Sequence, residues 1–258
     1  MEALKSNNAK LTALLTADVF EKVRRVWFSN IPNDDHMFVP SQEDVLQWFS
    51  RSEDFDAICK AEFGSILTTL EGLNPTGDEI LAKAELTSAL DWMSLVILLD
   101  QMPRNCFREE KAGIAYKSFD ERALSVALEA IRQGIPEDQL LRYRQTQRFW
   151  FYMPLEHSES MEMQNMLFLE HKRMFSDSLC LLFGVPAEVE EDEQVLQVTR
   201  GVLGRRKIAL EKWVETLSRI ASEHREVLKR FGRYPHRNRP LNRVSTKKEL
   251  EYLISLET

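Results

Sequence analysis

Cysteine, glycine and proline are all scarce in this chain. Its three cysteines, Cys59, Cys106 and Cys180, stand far apart in 258 residues. An odd, widely spaced set is neither a disulfide framework nor a zinc pattern, and it points to a reducing compartment. Glycine and proline number 9 each, and β-branched residues form no long alternating run, which favours helix over sheet. The longest apolar run, near Leu95–Leu99, is far short of a membrane span. Met1 to Leu15 has no basic region followed by an apolar stretch, so no secretory signal is read there. Also missing are a glycine-rich dinucleotide fingerprint, a Walker A loop, a G-x-S-x-G elbow and an H-E-x-x-H pair. Those absences leave a nucleotide fold, a nucleophilic serine and a helix-borne zinc site without support. Cys106 has no adjacent histidine, so no thiol nucleophile is signalled either.

What is present is helical periodicity. Leu11 to Phe28 spaces Leu11, Leu14, Leu15, Val19, Phe20 and Val23 along one face. Ser29 to Ser41 reads as a loop, Val45 to Phe49 as a short helix, and Ser52 as the N-cap of a helix running to about Leu70. Leu73-Asn74-Pro75 breaks it. Ala82 to Gln101 is apolar over nearly its whole circumference, which predicts a central helix, ended by Pro103. Ile114 to Gly134 and Ser160 to Phe183 are further helices, closed by Gly134 and Gly184, the second with Pro186 beyond it. Gln139 to Phe151 is a shorter one. Val195 to Phe231 is one helix or two, weakest at Gly201 and Gly204. Lys247 to Ser255 closes the chain, with Thr246 and Glu249 at capping-box spacing. The reading is an all-α single domain of antiparallel helix pairs over residues 1–258. Residues 1–10 read as a flexible N-terminus and residues 187–195 as an acidic loop.

Charge is unevenly spread. From Thr199 onward there are 15 Lys+Arg against 7 Asp+Glu, or +8, so the remainder carries −15 of the net −7. Either the basic end docks on the acidic body, or it forms a positive site for an anion. An acidic chain without nucleic-acid motifs gives no reason to expect a nucleic-acid partner.

Three polar blocks concentrate the chemistry. The first is Asp100-Gln101-Met102-Pro103-Arg104-Asn105-Cys106-Phe107-Arg108. Its two guanidiniums suit carboxylate or phosphate, or Asp100 simply pairs with one arginine while Asn105 caps the helix end. The second is Phe151-Tyr152-Met153-Pro154-Leu155-Glu156-His157-Ser158-Glu159, preceded by Arg148-Phe149-Trp150. Phe149 and Phe151 read as core. Carboxylates beside His157 can tune it for proton transfer, or they can serve a helix start with Ser158 or Ser160 as cap. The third is Lys229 to Arg243, a cationic loop holding Arg233, Tyr234, Pro235, His236, Arg237 and Asn238. His224 lies just before it, with apolar Leu228 one turn on. His157, His224 and His236 with Asp100, Glu156 and Glu159 have metal-ligand chemistry but no ligand spacing, and the arginines oppose a cation. No metal and no cofactor are expected.

In these three blocks the chain resembles the family catalogued as domain of unknown function 924. Weaker likenesses at Val26-Trp27-Phe28, Phe55-Asp56, Phe63-Gly64, Ser245-Thr246 and Glu249 extend it over roughly residues 20 to 255. The resemblance implies a tetratricopeptide-like superhelical array, a cytoplasmic protein and no established activity. It carries over, as shared polar positions, Asp100, Gln101, Arg104, Asn105, Arg108, Tyr152, Glu156, His157, Ser158, Glu159, His224, Arg233, His236, Arg237, Asn238 and Arg243. Where the family usually has glycine before the last arginine, this chain has Asn242, which tolerates a left-handed backbone. The acidic stretch Glu188–Glu193 looks like an insertion.

The functional expectation is a small-molecule enzyme or binder. In it, Arg104, Arg108 and Arg237 hold an anionic or enolate-like group, with Gln101, Asn105, Tyr152, Arg233 and Asn238 completing the binding set. His157 or His236 moves a proton, oriented by Asp100 or Glu156. The alternatives are a peptide-binding scaffold and a purely structural buried network.

Overall fold

The computed structural model describes residues 2–185 and 192–256, and the chain is helical with no strand among them. A helix over Ala89–Cys106 forms the middle of the molecule. Met93 and Leu95 to Leu99 are all at most 1% exposed, so this helix is enclosed on every side, as its unbroken apolar run predicts. The helices Ala17–Trp27, Glu53–Leu73 and Asp120–Arg132 pack around it, and a Met161–Leu182 helix lies against Lys207–Phe231. One continuous apolar core runs from Leu11 to Leu217. Burying each large side chain in it contributes about 1.5–3 kcal/mol.

Caps decide most boundaries. Ser52 and Thr246 cap as expected, the latter in a full capping box with Glu249. Thr16 caps the Ala17–Trp27 helix by accepting from the Val19 N–H. It therefore splits the expected Leu11–Phe28 helix after Glu2–Leu14, and residues 2–10 are helical. The expected Ser29–Ser41 loop contains a short Asp34–Phe38 helix. The central helix starts seven residues later than its apolar pattern suggests. Ser88 caps it, and the Asp91 carboxylate gathers the Thr87 N–H and both the Thr87 and Ser88 hydroxyls. Pro103 does not end that helix, which continues to Cys106. Pro103 has no N–H to offer the Leu99 carbonyl, so the helix passes through it at the loss of one intrahelical bond, its fixed φ being helix-compatible. The Arg206 break falls two residues past Gly204. The acidic loop and the stop at Pro186 lie largely outside the described residues, and the next helix is capped by Asp192.

Phe149, Trp150, Phe151 and Tyr152 form a tight helical turn and are at most 1% exposed. Trp150 meets Trp27 edge-on at 5.0 Å, and Phe149 meets Trp213 at 5.0 Å. This aromatic block is core, and it fixes the segment that leads into Glu156 and His157. Those two residues close a Met153–His157 helix, with the Met161–Leu182 helix beginning after Ser160. They are therefore at a helix end, not at the expected helix start, and Ser160 makes no capping bond.

The basic C-terminal segment folds back over the body. Gly232 and Asn242 take positive φ of 70° and 55°, and Tyr234 is extended before Pro235, as the chemistry of those residues requires. The loop lies so close to Gly113 that an added Cβ would stand 2.4 Å from the Pro240 carbonyl oxygen. Gly113→Ala therefore lowers stability by about 1–3 kcal/mol in denaturant unfolding, as overpacking does. Gly204→Ala, with no atom within 4 Å of the new Cβ, holds or raises it by about 0.5–1 kcal/mol.

Candidate functional site

The last two turns of the central helix supply the floor of the site. Asp100 is 1% exposed. Its Oδ1 accepts from Arg104 Nη2 at 3.3 Å and pairs with His157 Nδ1 at 2.8 Å, while Oδ2 accepts from the Gln101 amide. Asp100 and Arg104 are four residues apart and so share one helix face. Burial alone would raise the Asp100 carboxyl, but the facing His157 and Arg104 outweigh it and hold its pKa down at about 2. An ionised Asp100 can only accept, so the proton of neutral His157 sits on Nδ1 and leaves Nε2 as the acceptor. Burial and the Arg104 charge push the His157 pKa below its ordinary value against the pull of Asp100. His157 keeps 18% of its side chain exposed.

Asp120 joins a second arginine to the site. It accepts from Arg104 Nη2 at 2.6 Å and from Arg237 Nη1 at 3.0 Å. Both guanidiniums also lie over the Tyr116 ring, at 5.5 and 4.7 Å, and Arg237 lies over Tyr234 at 4.9 Å. Tyr116 lies within, and Asp120 directly follows, a wide π-type turn, Ala115–Phe119, inside what the periodicity predicts as an unbroken helix. Such turns aim side chains that a regular helix would place elsewhere.

Glu156, 2% exposed, pairs with His224 Nδ1 at 2.8 Å. Burial works against charge on His224, but the hydrogen bond and charge of Glu156 prevail and raise its pKa. Tyr234 donates its hydroxyl to the Glu156 carbonyl at 2.7 Å, and its N–H to Glu159 at 2.8 Å. Glu159 is held in turn by Arg243 at 2.7 Å. These contacts tie the loop after Gly232 to the segment bearing His157. His236 stacks on Tyr234 at 5.7 Å and is exposed.

The structure thus brings together Asp100, Gln101, Arg104, Glu156, His157, His236 and Arg237. It separates the rest of the expected set. Asn105 is one residue past Arg104, about 100° around the helix, and Arg108 lies beyond the helix end. They bond each other at 2.9 Å, and Arg108 grips Asp56 at 2.6 and 2.8 Å, on the side of the Glu53–Leu73 helix. Arg108 therefore does not join Arg104 and Arg237. Tyr152 faces another buried cluster, where its hydroxyl accepts from Arg148 Nε at 2.9 Å. Arg233 binds Glu249 at 2.6 Å, and Asn238 donates to the Ser245 hydroxyl at 3.0 Å, so both secure the closing helix. Tyr116 and Asp120 are site residues that sequence reasoning missed. Asp120 reads as an ordinary acid in a helix, and nothing in the local pattern announces the wide turn.

Several donors and acceptors remain unspent. Among the described residues Arg104 donates only through Nη2 and Arg237 only through Nη1. The Nε atoms of both are buried without a partner, and Arg237 is 6% exposed. His157 Nε2 and the Tyr116 hydroxyl make no hydrogen bond among the described residues. A groove of about 810 Å³ opens beside His236, between the Glu109–Ser118 segment and the C-terminal loop.

A family model described as bacterial protein of unknown function, DUF924, matches residues 23–256. The structure of a protein of unknown function, ATU0120 from Agrobacterium tumefaciens, matches over 92% of this chain and 97% of that one. The TM-score is 0.54 at 24% identity, a likeness of fold. No curated protein matches the chain.

Asp120→Asn leaves two arginines short of their shared counter-charge. It lowers stability by about 2–3 kcal/mol in denaturant titration, less than for a sealed pair because Asp120 keeps 17% of its side chain exposed. The raised pKa of His224 sets a second expectation. Its ion pair with Glu156 stabilises fully below the ordinary histidine value and is lost as pH rises through the raised one. The stability difference between wild type and His224→Gln is thus larger at pH 6 than at pH 8.5 when measured by unfolding at both. Taking the difference cancels the other histidines.

Proposed function

The chain belongs to the DUF924 family of bacterial proteins of unknown function, and from its site we propose that it binds a small anionic molecule and moves a proton on it. The reading is carried by one observation: Arg104 and Arg237, each with an unspent edge, meet on Asp120, and Arg104 shares Asp100 with an imidazole whose Nε2 makes no hydrogen bond among the described residues. Asp100 orients His157 and keeps the proton on Nδ1, so Nε2 takes a proton from the ligand. Arg104 and Arg237 hold the negative charge that develops when the electron pair stays behind. Glu156 and His224 fix the segment that carries His157. This is cofactor-independent acid–base chemistry of the kind used in isomerisation, elimination or hydrolysis.

Burial favours a second reading. Asp100, Glu156 and Arg237 are 1, 2 and 6% exposed, which suits a network whose task is to lock the C-terminal segment onto the central helix. That reading leaves the free edges of His157, Arg104 and Arg237 without purpose. A tetratricopeptide-like peptide scaffold asks for polar groups strung along an extended groove, whereas here they gather at one point, which favours a small ligand.

The test is untargeted mass spectrometry of a bacterial metabolite extract incubated with wild type, His157→Gln or Arg104→Lys, each checked for folding by circular dichroism. Wild type is expected to consume an anionic metabolite that the folded His157→Gln leaves untouched. Identical extracts after all three treatments, with no anion retained by wild type, sink the proposal.

A further inference from the structure

Resting on that reading, we infer that the ligand is a monoanionic carboxylate with a hydroxyl-bearing body. Its carboxylate sits between Arg104 and Arg237 beside His157, and its body runs past His236 into the adjoining groove. Two features of the structure argue for this class.

The first is charge. Arg104 and Arg237 are matched by Asp100 and Asp120, and nearby Glu156 and Glu159 by His224 and Arg243. The cluster is therefore balanced before a ligand arrives. Asp100, Arg104, Asp120, Glu156 and His236 are the charged or titratable groups acting on His157 from the surrounding segments. One added negative charge is the smallest departure from that balance. A dianion such as a phosphate monoester leaves a second charge unmatched in a largely buried site, which is costly. A carboxylate also presents two oxygens to two guanidinium edges.

The second is the groove. It is lined by Glu110, Lys117, Ser118, His236, Arg239 and Asn242, and its volume of about 810 Å³ suits a small metabolite. Two links join it to the cluster. Tyr116, beneath both guanidiniums, is followed directly by Lys117 and Ser118 on the same wide turn. His236, on the groove wall, stacks on Tyr234, which also carries Arg237. Beside Ile114 and Pro240 the lining offers hydroxyl, amide, carboxylate and cationic groups, partners for ligand hydroxyls.

The experiment is calorimetric titration of the full chain with gluconate, hexanoate and sulfate as probes. Gluconate is expected to bind at least about tenfold more tightly than either of the others, as hydroxyl-reading sites discriminate. Arg239→Ala, at an exposed groove position, is expected to weaken gluconate about tenfold and leave hexanoate unchanged. Hexanoate equal to gluconate, or sulfate tighter than both, overturns the ligand class while leaving an anion site in place. No heat with any of the three probes, in wild type as in Arg237→Gln, overturns both the ligand class and the anion site beneath it.

Discussion

The Asp120 carboxylate holds together segments that are far apart in sequence. One oxygen takes Arg104 from the central helix, and the other takes Arg237 from the C-terminal loop. Without that shared anion two guanidiniums would face each other over the Tyr116 ring, and like charges in a half-buried space repel strongly. The C-terminal loop therefore depends on Asp120 for its place. His236, Tyr234 and the bonds to Glu156 and Glu159 follow from that placement. The uneven charge of the chain, +8 beyond Thr199 against −15 before it, has its structural meaning here: the basic end is docked on the acidic body.

Around that anchor the fold divides its labour. The aromatic block Phe149–Tyr152 secures the segment entering the site, chiefly through ring contacts. The polar groups beyond it are then positioned by hydrogen bonds between elements rather than within them. A second buried cluster supports that segment from behind. Arg148, fully buried, reaches Glu137 at 2.8 Å and the Arg142 carbonyl at 2.9 Å. It keeps its charge against burial because Tyr152, Asp177 and Glu137 surround it. It has no unspent edge of the kind that marks Arg104 and Arg237, and its role is structural.

Local chemistry was legible wherever one residue type suffices. Ser52 and Thr246 cap because their hydroxyls accept from the third N–H on, and Gly134, Gly184 and Asn242 stand at positive φ because few other residues tolerate it. The polar blocks were visible as concentrations of charge, and Asp100, Arg104, His157 and Arg237 do meet. Arg108 and Asn105 belong to the same block yet face Asp56, because a helix turns its neighbours to different sides and then ends. Pro103 misled for another reason: proline costs one intrahelical bond, and a helix enclosed on every side bears that loss. Tyr116 and Asp120 were not visible as site residues, since a wide turn inside an amphipathic helix leaves no periodicity of its own.

The sequence by itself determined that the chain is helical, that Ser52 and Thr246 are caps, that the helix bearing Leu95–Leu99 is enclosed, and which segments carry its polar chemistry. Those properties depend on spacing and on the intrinsic preferences of single residues. Only the tertiary structure decided which charges meet. Pairing of Asp120 with Arg104 and Arg237, and of Glu156 with His224, spans 16, 117 and 68 positions. An ion pair selects its partner by distance and burial, not by position along the chain.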